Sequence, residues 1–239
     1  MNFEQDEPRV PQLGRVVGQA VVAFALLGAG ALHEAAALSV YNTGVTDTGA
    51  KLAVGSNDTH WILVPSDDMV PPPPVVVTDQ HPLGQYFTSA DSMWIWANAG
   101  GTAAVGTPYT YRLDFDLTGF NPATATISGA WGVDNIGKIT LNGAAPVGTG
   151  TFALNTVSTA NFNTAYSFSI TGGFTAGVNS LEVEVTDAGN PAAFNVSGLS
   201  VVAAAVPEPA SVALFGAGLL ALLVLARRSR PAVGAPARH

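Results

Sequence analysis

The chain has no cysteine anywhere in its 239 residues, so neither a disulfide framework nor a thiolate metal site is available, and stability has to come from a buried apolar core. Basic charge is nearly as scarce. Between Leu38 and Pro209 only Lys51, Arg112 and Lys138 stand against thirteen acidic residues, a net charge of −10. Such a surface repels nucleic acid, which is excluded as a partner, and suits neutral sugars, or acidic polymers bridged by divalent cations. Histidine in the same stretch is limited to His60 and His81, with no third ligand at metal-binding spacing, and no serine sits in a Gly-x-Ser-x-Gly turn. A hydrolase needs a nucleophile with a base, or two carboxylates flanking a bond. The chain is therefore expected not to be an enzyme. No repeat of fixed period is found, which argues against a solenoid or propeller.

What is present is concentrated at the C-terminus. Val206-Pro207-Glu208-Pro209 leads into Ala210–Ala226, 17 residues with no charge, and then into Arg227-Arg228-Ser229-Arg230. As a helix the apolar run is about 25 Å long, enough to cross a bilayer core. The arginines that follow it place the C-terminus on the cytoplasmic side and everything upstream outside. Pro207 and Pro209 fix φ and remove two backbone donors, keeping the juxtamembrane stretch extended. A plain tail anchor would share the hydropathy and the charge, but does not predict a glutamate between two prolines. Tripeptide, short apolar helix and basic cluster in this order resemble the PEP-CTERM sorting signal over Val206 to Arg230. The resemblance implies recognition by an exosortase at the inner membrane of a Gram-negative-type bacterium, and delivery to the cell surface or to an extracellular polysaccharide matrix.

The N-terminus agrees with export. Val16 to Leu32 is apolar apart from Gln19 and glycines, and Ala35-Ala36-Ala37 offers small residues to a signal peptidase, with cleavage expected after Ala37. The leading segment is atypical, carrying Glu4, Asp6 and Glu7 against Arg9 and Arg15, and an uncleaved N-terminal anchor is the alternative. The expected organisation is a signal peptide over 1–37, a β-sandwich domain over 38–202, a linker containing the Pro-Glu-Pro motif over 203–209, a transmembrane helix over 210–226 and a basic cytoplasmic tail over 227–239.

The interior reads as strands. Tyr111, Leu113, Phe115 and Leu117 alternate with Arg112, Asp114, Asp116 and Thr118, a period of two that turns one face to a core and the other to water. Tyr166, Phe168 and Ile170 repeat the pattern, as do Leu181, Val183 and Val185. Thr124 to Trp131 adds a further strand. Ile139 and Leu141 precede Asn142-Gly143, the dipeptide best suited to the positive φ angles of a tight hairpin turn. Pro65 to Pro82, with four consecutive prolines from Pro71 to Pro74, is expected to be a long surface loop. Short strands separated by frequent turn signals predict an all-β fold, an antiparallel two-sheet sandwich. The stretch around Trp94-Ile95-Trp96, Asp114 to Phe120, Ala130 to Asn135 and Ile139 to Gly143 is similar to β-sandwich modules that precede PEP-CTERM tails. That similarity, over roughly Trp61 to Val201, implies a galactose-binding-like jelly roll.

Two sets of candidate binding residues follow. Trp94, Trp96 and Trp131, together with Trp61, would stack their indole faces on sugar rings if exposed, whereas large aromatics more commonly fill a core. Asp114, Asp116, Asp134 and Asn135 offer oxygen ligands to calcium, although no contiguous Asp-x-Asp-x-Asp-Gly loop is present. Asn57-Asp58-Thr59 and Asn195-Val196-Ser197 fit the glycosylation pattern at the level of chance. The functional expectation is a structural or adhesive protein of an exopolysaccharide biofilm, with a carbohydrate-binding module, calcium-dependent or not, as the alternative.

Overall fold

The computed structural model describes residues 35–65, 73–78, 84–206 and 210–228. The chain divides into a unit over Met1–Leu32 and a second over His33–His239. The first unit, and with it most of the expected signal peptide, lies outside the described residues.

Among the described residues the second unit holds twelve strands: β1 (Ala35–Leu38), β2 (Ile62–Leu63), β3 (Val76–Val77), β4 (Ile95–Trp96), β5 (Pro108–Asp116), β6 (Thr126–Asp134), β7 (Ile136–Leu141), β8 (Val147–Gly150), β9 (Ala153–Leu154), β10 (Tyr166–Gly172), β11 (Val178–Thr186) and β12 (Ala193–Ala204). A single helical turn, α1 (Ala160–Asn163), precedes β10, and α2 (Ala210–Arg228) follows β12. One sheet has the order β3-β4-β12-β6-β10-β8, with β1 also paired to β12, and the other has the order β2-β5-β11-β7-β9. All pairings are antiparallel, and each strand from β5 to β12 lies in the sheet opposite its predecessor. The result is the two-sheet sandwich the alternation predicts.

The core is where the period of two places it. Tyr111, Leu113 and Phe115 of β5 point inward beside Leu181, Val183 and Val185 of β11, while Ile127, Trp131 and Val133 of β6 face them from the other sheet with Phe194, Val196 and Val201 of β12. Burying this much apolar surface is the main stabilising term in a chain without disulfides. The Asn142-Gly143 turn forms as its sequence predicts, with φ of 52° and 73° and Leu141 N donating to Ala144 O at 3.0 Å. It does not close a long hairpin, however. The next strand, β8, crosses to the opposite sheet and pairs with β10.

Three boundaries differ from the sequence reading. The expected loop Pro65 to Pro82 is interrupted by β3, because the β-branched run that follows the prolines buries Val75, Val76 and Val77 against the core. The expected linker begins later than Ala203: β12 continues to Ala204, and Val206 N still donates to Gly119 O at 2.8 Å. Ala35-Ala36-Ala37, the expected end of the leader, forms β1 opposite Val202–Ala204. The apolar tail is helical over Ala210–Arg228. Among the described residues, no helix is long and apolar enough to cross a membrane.

Gly44 shows how tightly the first loop docks. Its φ is +65°, and a Cβ there would lie 2.5 Å from the Cβ of Met93. Gly44→Ala is expected to cost about 1–3 kcal/mol of unfolding free energy, combining left-handed strain with overpacking. A urea titration checks this through a lower midpoint at unchanged slope.

Candidate functional site

The first candidate site is the exit of the tail. Asn121 N donates to Ala204 O at 2.8 Å, Thr124 Oγ1 accepts from Ala204 N at 2.9 Å, and Phe120 bridges to Ala205. The turn is shaped by Asn121, whose side chain accepts from Ala123 N just before Pro122. The sandwich therefore grips the chain up to Val206, which is itself exposed. Pro207, Glu208, Pro209 and Arg230 lie outside the described residues, and Arg227 and Arg228 fall in the last turn of α2. Three residues separate Val206 from Ala210, and they span at most about 14 Å between Cα positions when extended.

The tryptophans are core residues. Trp94 is 1% exposed, and Trp96 and Trp131 are 0% exposed. Each indole N–H donates to a backbone carbonyl: Trp61 to Tyr41, Trp94 to Phe87, Trp96 to Thr102 and Trp131 to Thr151. Trp94 and Trp96 do not even share a cluster. Trp94 packs with Tyr86, Phe162 and Ala193, whereas Trp96 lies in the main core, near Tyr109 and Tyr111. No indole face is available to a sugar, which removes the aromatic platform on which the glycan-stacking expectation depended.

The four expected calcium ligands are not brought together. Asp114 and Asp116 lie on the outer face of β5, near the tail end of the sandwich. Asp114 accepts from Ser180 Oγ at 2.6 Å and stands 3.1 Å from Arg112 Nε, an ion pair whose angle is outside hydrogen-bond geometry. Asp116 accepts from both N and Oγ1 of Thr118, which holds its carboxyl below the usual carboxylate range. Asp134 and Asn135 lie at the opposite end, between β6 and β7. Period-two spacing could show that Asp114 and Asp116 share a face, but not that Asp134 ends a strand running the other way in the other sheet. Among the described residues no group of three or more His, Cys, Asp or Glu could hold a metal ion.

Two polar clusters escaped the sequence reading. In the first, Tyr86 Oη donates to Asp134 Oδ2 at 2.7 Å, Asn135 Nδ2 also donates to Asp134, and Asn135 Oδ1 accepts from Ala188 N. Burial, then the Asp134 hydrogen bond and the charges of Asp134 and Asp187, push the Tyr86 phenol far above its ordinary pKa. In the second, His60 stacks on Tyr41 with ring centroids 3.6 Å apart and places Nε2 2.9 Å from Asp47 Oδ1. Asp58 beneath it accepts from Gly44 N, His60 N and Trp61 N, and burial raises its carboxyl above the ordinary value despite these bonds. No hydroxyl or amine nucleophile bonds to His60 among the described residues. This cluster ties two loops together. No local motif signals the first cluster, since the Tyr86 and Asp134 partners are 48 positions apart. His81 lies outside the described residues.

The outer face of β5, β11 and β7 carries an ordered set of polar side chains. Arg112, Glu182 and Thr140 are directly opposed across three strands, with Thr140 Oγ1 donating to Glu182 Oε2 at 2.9 Å, and Lys138 pairs with Glu184 at 3.0 Å in the next row.

Fold and tail together define a class: an all-β sandwich whose last strand runs almost directly into a proline-flanked apolar tail. Residues 205–230 match the PEP-CTERM protein-sorting motif, so the chain carries a sorting signal that implies an exosortase partner and an exported, membrane-anchored precursor. No curated protein matches the chain. Among solved structures, the Stig cyclase Fisc from Fischerella sp. TAU, in complex with (3Z)-3-(1-methyl-2-pyrrolidinylidene)-3H-indole, is similar over 73% of this chain and 100% of that chain, at 12% identity and a TM-score of 0.44. Similarity at that level carries no functional argument.

Proposed function

We propose that the protein is a non-enzymatic structural or adhesive component of an exopolysaccharide matrix. On this reading Ala210–Ala226 spans the inner membrane until an exosortase processes the precursor, and the sandwich then reaches the cell surface or the matrix. The observation that carries the reading is the sorting motif at residues 205–230, attached to a domain whose tryptophans are all committed to the core. A hydrated exterior of hydroxyl and acidic groups suits a matrix protein. The test is fractionation of cultures into membrane, matrix and medium. Processed protein is expected to co-purify with matrix polysaccharide; full-length protein confined to the membrane, or processed protein free in the medium, would overturn the proposal.

A second reading, glycan binding, draws support from the polar rows on β5, β11 and β7, where Arg112, Glu182 and Thr140 form a flat hydrogen-bonding strip. Affinity electrophoresis through gels containing the producing organism's exopolysaccharide separates it from a purely structural role. If the strip binds sugar, migration is retarded and Glu182→Ala relieves the retardation. Added calcium is expected to change nothing, because the four candidate ligands lie at two ends of the fold. Unretarded migration of the folded protein would reject glycan binding.

A further inference from the structure

The sandwich has edges of two kinds. β2, β3 and β9 each present only two residues, too few to template another strand. β1 is four residues long but follows Glu34 directly and contains the expected leader cleavage point. β8 is different. All four of its residues are exposed, among the described residues it pairs only with β10, and its outer side therefore leaves alternate backbone N–H and C=O groups to solvent.

Pro146 and an irregular first pairing guard the start of this edge, but the rest of it carries no charged or proline side chain. Natural edge strands carry lysine, proline or an inward charge, whereas Val147-Gly148-Thr149-Gly150 has none of these within it. The glycines are imposed from inside the sheet: a Cβ on Gly148 or Gly150 would collide with the carbonyl oxygens of Ser169 or Ser167 on β10. Only Val147, 62% exposed, and Thr149 project side chains. The register shifts at the Val147 end, so regular pairing runs along Gly148–Gly150.

Charge selects the partner. Between Lys138 and Glu182 the sequence holds no charged residue, so β8, β10 and their connections make a neutral flank on a domain of net charge −9. Two copies of such a domain repel each other over their acidic faces and can meet along this flank without that cost. An antiparallel edge is also self-complementary under a twofold axis, so one strand supplies both halves of a closed seam. We propose that β8 is a self-association edge, pairing antiparallel with β8 of a second copy to join the two larger sheets into one. The contact is small and depends on concentration, which suits a protein crowded in a matrix. It does not depend on the sorting reading, because it is argued from the sandwich alone.

The test uses the full chain in detergent, followed by sedimentation velocity over a concentration series. The wild type is expected to show a monomer–dimer equilibrium, and Thr149→Lys, which sets like charges across the seam, to weaken it by about tenfold or more. Val105→Lys, at the opposite end of the sandwich, is expected to leave the equilibrium unchanged. Because the chain has no cysteine, Thr149→Cys should give an oxidative dimer between copies and Val105→Cys should not. The cysteine pair decides the matter if Thr149→Lys fails to fold. A wild type that stays monomeric overturns the proposal. A dimer indifferent to Thr149→Lys, as association through the apolar tail would give, overturns it equally, as does equal cross-linking from both cysteines.

Discussion

Glu208→Ala is expected to leave the protein as a full-length precursor in the membrane fraction, with the ratio of processed to unprocessed chain falling by about tenfold or more, the size of one lost charge-assisted contact. The reasoning begins with isolation. Glu208 is the only charged residue between Asp187 and Arg227, so an enzyme reading this stretch finds one charge at one place. It sits between two prolines that cannot donate backbone hydrogen bonds, so the carboxylate is the distinctive polar group in the tripeptide. The folded domain tightens the constraint further. Val206 is still bonded to Gly119, and α2 begins at Ala210, so the exosortase must engage a segment of three residues next to the end of the sandwich. Replacing Arg227, Arg228 and Arg230 together should also block processing by a separate route, since the charge that fixes the tail's orientation is lost. Immunoblots of membrane and extracellular fractions read both outcomes. Normal processing of both variants would refute exosortase sorting of this chain.

How legible the molecule was from its sequence depended on whether a feature is local. β5 could be read because Tyr111, Leu113 and Phe115 alternate with polar residues inside one segment, and the Asn142-Gly143 turn because two adjacent residues carry the positive φ angles. The sorting motif could be read for the same reason: its three parts are contiguous. β3 could not, since two valines after a run of prolines give no period to detect, and their strand identity comes from pairing with β4. The acidic set failed for a related reason. Asp114 and Asp134 are 20 positions apart, and only the winding of the chain between the two sheets decides that they occupy opposite ends. The edge at β8 was invisible because exposure of a strand edge is a property of sheet order.

Trp131→Ala is expected to be among the most damaging single substitutions in the sandwich, lowering stability by about 3–5 kcal/mol. Trp131 sits in the middle of β6, paired with Tyr166 of β10 on one side and Val196 of β12 on the other, and its side chain is fully buried between the sheets. Truncation removes a large apolar volume from a site bounded by regular strands on both flanks, where the backbone has little freedom to collapse into the cavity. It also removes the indole donor that binds Thr151 O at 2.8 Å. That carbonyl follows directly after β8, so the loss loosens the chain leading out of the edge strand as well as the core. Domains of this size are typically stable by only about 5–15 kcal/mol, and with no disulfide to limit the unfolded state such a loss should be visible as poor accumulation as well as a lower melting temperature. The same argument separates core from ligand site. If Trp131 or Trp94 served a glycan, alanine at that position would reduce polysaccharide retention while leaving the melting temperature unchanged. Burial of both indoles leads to the opposite expectation, a lower melting temperature for each variant, and thermal unfolding followed by near-ultraviolet circular dichroism decides between them.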